Sequence, residues 1–150
     1  MRILSLALCT LLLLSACGGE EPRLDPGPAE PALDGVVLDH ILIAVKNPRI
    51  PSGKTPEEAK TIAYDLLKQL EAGANWAELK RKHSADPPPG GPYTILNKGQ
   101  PDRANFIFVR GDMAPAFEAV GYSLDVGKMG IADFDPRTSP FGFHIIKRVK

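Results

Sequence analysis

Two histidines stand in apolar segments that are far apart in the chain. His40 precedes Ile41-Leu42-Ile43 and His144 precedes Ile145-Ile146. Runs of β-branched and apolar residues of this kind predict buried strands. If the two strands pair, the imidazoles can share a hydrogen bond across the sheet. The pair would then either belong to a polar site or be two satisfied buried side chains with a structural role.

A metal centre at these histidines would need a third ligand. The remaining histidine, His83, lies on a predicted helix far from both in sequence. The two cysteines are too few for a four-thiolate zinc site or for a disulfide-rich scaffold. The sequence therefore predicts no bound metal.

An apolar pair and an acidic residue are further candidates. Met113 and Phe117 are four positions apart, so a helix would project both side chains from one face. Plain core packing is the alternative for this pair. Asp86 precedes three consecutive prolines, and an Asp-Pro pair commonly initiates a turn.

Helix caps and apolar patterns indicate the elements that would position these residues. A first strand is predicted at residues 36–45. A helix begins at the capping box Thr55-Pro56-Glu57-Glu58 and ends at Gly73. A second helix starts at its cap, Asn75, and reaches about His83.

The second half of the chain contains a long loop, residues 84–104, with one short extended piece at 93–96. Asp112 is expected to cap the third helix. The remaining predicted elements are strands at 106–109, 129–134 and 141–149 and a helix at 113–121. The order β-α-α-β-α-β-β predicts an α+β domain with an antiparallel sheet.

The N-terminal residues resemble a bacterial lipoprotein signal. Arg2 supplies a positive charge, and the apolar run of about twelve residues at 3–14 is too short to span a bilayer. The run ends in Leu14-Ser15-Ala16-Cys17, which is similar to the lipobox. This likeness implies a signal peptide at residues 1–16 and acylation of Cys17, which anchors a protein without a membrane-spanning helix.

Residues 17–35 are rich in proline and glycine and predict an extended tether ahead of a folded domain at 36–150. Gly18, rather than an aspartate, follows the acylated cysteine. In lipoproteins of this type that residue implies an outer-membrane anchor, so the domain would face the periplasm of the cell envelope.

Four ordered segments resemble the parvulin-type peptidyl-prolyl isomerase domain and together span residues 38–149. They are His40-Ile41-Leu42-Ile43; Trp76-Ala77-Glu78-Leu79 with His83-Ser84-Ala85-Asp86; Met113-Ala114-Pro115-Ala116-Phe117 with Leu124-Asp125-Val126-Gly127; and Phe141-Gly142-Phe143-His144-Ile145-Ile146-Lys147. The resemblance implies a four-stranded antiparallel sheet flanked by about four helices, close to the fold that the pattern predicts.

The resemblance also implies roles for individual residues. Met113 and Phe117 would form the pocket for a proline ring. His40 and His144 would lie beneath the active site, and Asp86 would stand beside the substrate carbonyl. An anion there would resist charge on the carbonyl oxygen and favour the twisted amide.

The chain departs from the family pattern near the pocket. Ser139 replaces a threonine whose hydroxyl can join the histidine network. An insert, roughly residues 92–104, follows Gly90-Gly91, and Asn105 stands where the family has a pocket leucine. The insert would be either a specificity lid or a tolerated surface loop.

The function that the resemblance implies is peptidyl-prolyl cis-trans isomerisation, without a cofactor, during the folding of secreted or outer-membrane proteins. The partners would be unfolded or extended chains that contain X–Pro bonds. The 18 basic and 18 acidic residues argue against a general nucleic-acid binder, which needs a basic excess. Because the pocket wall is altered, a chaperone-like module that binds Pro-containing chains without catalysis is the alternative.

Overall fold

The computed structural model describes residues 34–88, 90–99 and 101–150. The predicted signal peptide, the lipidation site Cys17 and nearly all of the tether lie outside these residues. No helix in the described part of the chain combines the length and the apolar character needed to cross a bilayer.

The described strands form one mixed sheet. They are β1 Gly35–Ala44, β2 Tyr93–Leu96, β3 Ile107–Val109, β4 Met129–Ala132 and β5 Gly142–Arg148. Their order across the sheet is β3-β2-β1-β5-β4, in which β2 and β3 are parallel and the other neighbours are antiparallel. The predicted α+β class is confirmed, but the prediction of four antiparallel strands is wrong.

The difference arises at the insert. Residues 93–96, expected as a short extended piece of a loop, pair with the central strand β1, with Leu38 opposite Tyr93. The segment expected as the buried second strand is instead the half-buried edge strand β3. Sequence patterns identify extended apolar segments. Which strand each segment pairs with depends on contacts between distant parts of the chain.

The helices within the described residues are α1 Pro56–Glu71, α2 Trp76–His83 and α3 Pro115–Ser123, with a 3-10 turn at Arg103–Asn105. The α1 cap is as predicted: the Thr55 hydroxyl accepts from the Glu58 N–H, and the Glu58 carboxylate accepts from the Thr55 N–H. Asn75 likewise caps α2 through the Glu78 N–H at 3.0 Å. Both predictions succeed because a cap depends on residues within one turn.

The start of α3 differs from its prediction. The helix begins at Pro115, and its N-cap residue makes no side-chain hydrogen bond. The Asp112 carboxylate accepts from the Val109 N–H instead, so Asp112 does not cap the helix. Met113 lies ahead of the helix, where its N–H donates to the Glu118 carboxylate at 3.2 Å.

The sheet separates two apolar cores. Alternate β1 residues point to opposite faces, so Ile41 and Ile43 pack with α1. Val36 and Leu38 pack on the other face with Phe117 of α3. His40 has the same parity as Leu38 and therefore lies on the α3 face, where the candidate site is found.

Candidate functional site

The central strand pair brings the two histidines together. β1 and β5 are antiparallel neighbours, with His40 opposite Ile146 and Leu42 opposite His144. The imidazole rings are therefore diagonal neighbours, with centroids 5.5 Å apart. The two strands that carry the histidines do pair, but the hydrogen bond that this pairing could allow between the rings is not formed. Among the described residues, His40 Nδ1 and both ring nitrogens of His144 have no hydrogen-bond partner.

The loop after α2 positions Asp86 over this pair. The Ser84 hydroxyl accepts hydrogen bonds from the Leu42 and Asp86 N–H groups, and the Ala85 N–H donates to the Leu42 carbonyl at 2.8 Å. These contacts tie the loop to β1, and Asp86 Oδ2 lies 3.3 Å from His40 Nε2. The acid and the buried imidazole thus form one polar unit.

A second network on the opposite face of β1 holds the next part of the same loop. The Asp39 carboxylate accepts from the Trp76 indole N–H at 2.7 Å and from the Lys80 ammonium. The Lys80 ammonium also donates to the Gly90 carbonyl at 2.8 Å. Strand β1 is therefore tied to both ends of the segment that carries Asp86.

A mostly apolar cavity of about 430 Å³ opens beside the polar unit. Phe117 is 1% exposed and makes T-shaped contacts with both imidazoles, at centroid distances of 5.2 Å and 5.4 Å. The residues that line the cavity include His40, Asp86, Tyr93, Met113, Phe117 and His144. The structure therefore brings together five of the residues that the sequence proposed for the site.

Ser139 does not join that group. Its side chain is buried, and its hydroxyl donates to the Gly142 carbonyl at 2.9 Å. No hydrogen bond links this hydroxyl to either imidazole, so the prediction that Ser139 belongs to the histidine network is wrong. This hydrogen bond to the backbone three residues later holds the loop between β4 and β5 in place.

Tyr93 lines the cavity as well, although the sequence assigned it no role beyond a short extended piece. Asn105, which stands where the family has a pocket leucine, is exposed, and its amide donates to Asp102. Tyr93 follows Gly91-Pro92 directly and opens β2. The available signal was an aromatic residue close to the glycine pair. Its place at the cavity depends on the pairing of β2 with β1, which the sequence pattern did not predict.

Burial and hydrogen bonding determine the charges in the site. Burial alone would raise the pKa of Asp86, but hydrogen bonds with His40 and Tyr93 outweigh it, and the pKa lies below its ordinary value. Burial, reinforced by the Asp86 hydrogen bond, raises the pKa of Tyr93. The site therefore holds a carboxylate and a protonated phenol at neutral pH.

Burial and the nearby His40 lower the pKa of His144 to about 3, so His144 is neutral at pH 7. No group of three or more His, Cys, Asp or Glu side chains within the described ranges has an arrangement that could hold a metal ion. The polar part of the site thus consists of one carboxylate, one phenol and two imidazoles.

In this α+β domain, a histidine pair on the sheet lies beneath an acidic residue and an apolar pocket. This is the architecture of a peptidyl-prolyl isomerase domain. The family model of the PPIC-type PPIase domain matches residues 29–150. The chain belongs to this family, and the parvulin-type resemblance inferred from the four segments is confirmed.

Curated relatives agree with this assignment. The chain is 33% identical over 112 residues to foldase protein PrsA 2 of Bacillus anthracis, an alignment that covers 75% of this chain and 30% of that protein. It is 32% identical over 108 residues to chaperone SurA of Alkalilimnicola ehrlichii, covering 72% of this chain and 21% of that protein. The chain thus matches less than a third of the length of each of these relatives.

Acid is expected to destabilise the fold through His144. Its pKa is lowered on folding, so the neutral form is favoured, and this contribution is complete above about pH 6.5 and is lost as the pH falls towards 3. In that window the free energy of unfolding should fall as the pH is lowered, because the unfolded chain binds a proton that the folded imidazole does not. Urea unfolding between pH 7 and pH 4 should show a shallower fall for His144→Gln than for wild type. Burial also lowers the pKa of His83, but this side chain is partly exposed, so His83→Gln should make the fall less shallow than His144→Gln does. Parallel curves for wild type and His144→Gln would contradict the assignment.

Proposed function

We propose that the domain catalyses cis-trans isomerisation of X–Pro bonds in extended segments of other polypeptides and thereby assists their folding. The observation that supports this most directly is the contact of Asp86 with His40 at the wall of an apolar cavity that Met113 and Phe117 line. The family assignment and the foldase and chaperone relatives support the same function.

The apolar part of the cavity would hold the proline ring. Met113 is half-buried and presents part of its side chain to the cavity, whereas Phe117 is nearly completely buried and lies at the base of the cavity. A ring seated there loses contact with water, and each buried methylene group contributes about 0.8 kcal/mol to binding. The X–Pro amide would then lie beside Asp86.

Asp86 would supply the rate effect. In the planar amide, resonance places partial negative charge on the carbonyl oxygen and gives the C–N bond its rotation barrier of about 18–20 kcal/mol. In the twisted state the oxygen carries less charge. A carboxylate near that oxygen therefore destabilises the planar form more than the twisted form. This difference in free energy lowers the barrier to rotation.

The histidines would orient the acid rather than transfer protons. His40 is 2% exposed and lies 3.3 Å from the carboxylate, so its ring limits the positions that Asp86 can take. His144 is neutral at pH 7 and packs against both His40 and Phe117. Rotation about an amide breaks no bond, so the proposal needs no general base and no cofactor.

The direct test is an exchange measurement on the purified full chain. Two-dimensional exchange NMR would follow cis-trans interconversion of a peptide that contains one X–Pro bond. The proposed function predicts an interconversion rate well above the uncatalysed one, which takes tens of seconds or longer. An unchanged rate at saturating peptide would overturn it.

A second candidate is chaperone-like binding of Pro-containing chains without turnover. A neighbouring groove of about 560 Å³ shares Arg49 and Phe141 with the proline pocket and is lined by Phe134, Pro136 and Pro140. Phe141 is 39% exposed, so apolar surface continues past the pocket. Suppression of the aggregation of an unfolded protein, with no effect on X–Pro exchange, would favour this function.

We also propose that the chain is anchored in the bacterial cell envelope through a lipid on Cys17 and faces the periplasm from the outer membrane. The lipobox-like Leu14-Ser15-Ala16-Cys17 and the absence of aspartate at position 18 support this. Labelled palmitate should be incorporated into the wild-type chain in a bacterial host, and the chain should sediment with outer membranes. Cys17→Ser should lose both properties, whereas Cys9→Ser should keep them. Equal labelling of Cys17→Ser and wild type would contradict the anchor.

A further inference from the structure

Tyr93 joins the acid of the candidate site to the pocket wall. Its hydroxyl donates to Asp86 Oδ2 at 2.7 Å, and the same oxygen lies 3.3 Å from His40 Nε2. The Tyr93 ring lies 5.0 Å from the His40 ring and lines the cavity. One carboxylate oxygen is thus held by two side chains from neighbouring strands, β1 and β2.

Two phenylalanines that follow the insert hold the Tyr93 ring. Phe106 stacks on it with centroids 5.7 Å apart and 23° between the planes. Phe108 of β3 meets the ring edge-on at 5.2 Å. The Arg103 guanidinium lies 5.5 Å from the Phe108 ring. The segment that follows the insert therefore supplies an aromatic support for Tyr93, the residue of the insert that contacts the acid.

The backbone conformation of Phe106 indicates that the surrounding structure holds this residue firmly in place. Phe106 has a φ of 54°, a left-handed conformation that is unfavourable for a bulky side chain. The Thr94 N–H donates to the Phe106 carbonyl at 2.9 Å, and Asp102 and Ile107 exchange two backbone hydrogen bonds. Strained residues persist where their surroundings over-determine them. A loose surface loop would relax and release the stacked ring.

We propose that Tyr93, which lies in the insert, is a positioning residue for the isomerisation and holds the Asp86 carboxylate towards the bound X–Pro segment. Phe106 and Phe108, which follow the insert, hold Tyr93 in turn. This inference rests on the proposed function, since it assigns Tyr93 a role in that reaction. The insert is accordingly neither a lid nor a neutral loop. It forms part of the pocket wall.

Tyr93→Phe separates the hydroxyl from the ring. The variant keeps the aromatic packing but removes one hydrogen bond to the carboxylate, so we expect kcat to fall about tenfold with little change in KM. The pKa of Asp86 should rise because a stabilising donor is lost, so the acid limb of the rate profile should move to higher pH. The matched control is Tyr122→Phe, since the Tyr122 hydroxyl donates at 3.1 Å to a backbone carbonyl, that of Ile95. It should keep the wild-type profile.

Phe106→Gly tests the role of the aromatic support of Tyr93. Glycine adopts a positive φ without strain, so the change removes the stacked ring and relaxes the backbone together. The melting temperature should change by only a few degrees, while kcat falls in the same direction as in Tyr93→Phe. A loop that acts only as a scaffold would leave kcat at the wild-type value.

The measurements are made on the full chain by X–Pro exchange from pH 8 down to pH 3, which reaches below the ordinary pKa of an aspartate, and circular dichroism checks at each pH that the chain is folded. An active wild type with a Tyr93→Phe variant of unchanged kcat and unchanged acid limb overturns the positioning role and leaves the proposed function intact. A wild type that adds nothing to the uncatalysed rate overturns the proposed function and the Tyr93 role with it. A reduced kcat with a shifted acid limb in Tyr93→Phe, but not in Tyr122→Phe, supports the proposal.

Discussion

Asp86→Ala is expected to lower kcat/KM for X–Pro exchange by about 100-fold or more, the size of effect seen when one preorganised electrostatic group is removed from a site. The carboxylate is the charged group that both His40 and Tyr93 hold, and its low pKa keeps it ionised at neutral pH. Without it, nothing at this position distinguishes the planar amide from the twisted one. Exchange NMR on the purified variants measures the effect.

Two comparisons separate charge from packing in this prediction. Asp86→Asn keeps the size of the side chain and removes its charge, so it should lose nearly as much rate as Asp86→Ala. Asp125→Ala removes an exposed acid away from the pocket and should leave the rate unchanged. Wild-type kcat/KM in Asp86→Ala would show that the carboxylate takes no part in the reaction.

Gly142→Ala is expected to destabilise the fold by about 3 kcal/mol or more, through backbone strain and overpacking together. Gly142 has a φ of +150°, and an added Cβ would lie 2.2 Å from the Ile43 carbonyl oxygen. That oxygen belongs to the backbone of β1, so the strand itself must move. Because Gly142 is two residues before His144, the shift would also separate the two imidazoles.

The matched control is Gly127→Ala. Gly127 also has a positive φ, +83°, but no atom lies within 4 Å of the position that its Cβ would take. Strain alone should then cost about 1 kcal/mol. Guanidinium unfolding of both variants and wild type measures the difference. Equal losses for the two glycine variants would show that close approach of β5 to β1 is not the cause.

Local signals in the sequence predicted local structure well. The capping box at Thr55 and the cap at Asn75 are formed by side chains within one turn of the backbone groups that they satisfy, so their geometry needs no tertiary information. The first and last strands were predicted from two apolar runs, each containing a histidine, whereas their pairing is shown by the structure. The predicted cap of α3 failed because the Asp112 carboxylate accepts from Val109 in the loop instead.

Residues whose partners lie far along the chain were harder to predict. Tyr93 meets His40 across a strand pairing that apolar periodicity could not reveal, since β2 is only four residues long. Ser139 could equally reach an imidazole or a backbone carbonyl, and only the folded loop shows that its hydroxyl donates to Gly142. Met113 lines the predicted pocket although it does not lie on a helix.

The sequence alone determined the class of domain and most of the side chains at its site, because residue types and short spacings carry the information for caps, strands and family segments. The tertiary structure decided how those side chains meet. It placed Asp86 over His40, separated the imidazoles and excluded Ser139 from their network. It also made Tyr93 of the insert part of the pocket wall, with Phe106 and Phe108 packed against its ring. These outcomes depend on which strands pair and in which register. Both are set by contacts between distant segments and not by neighbouring residues.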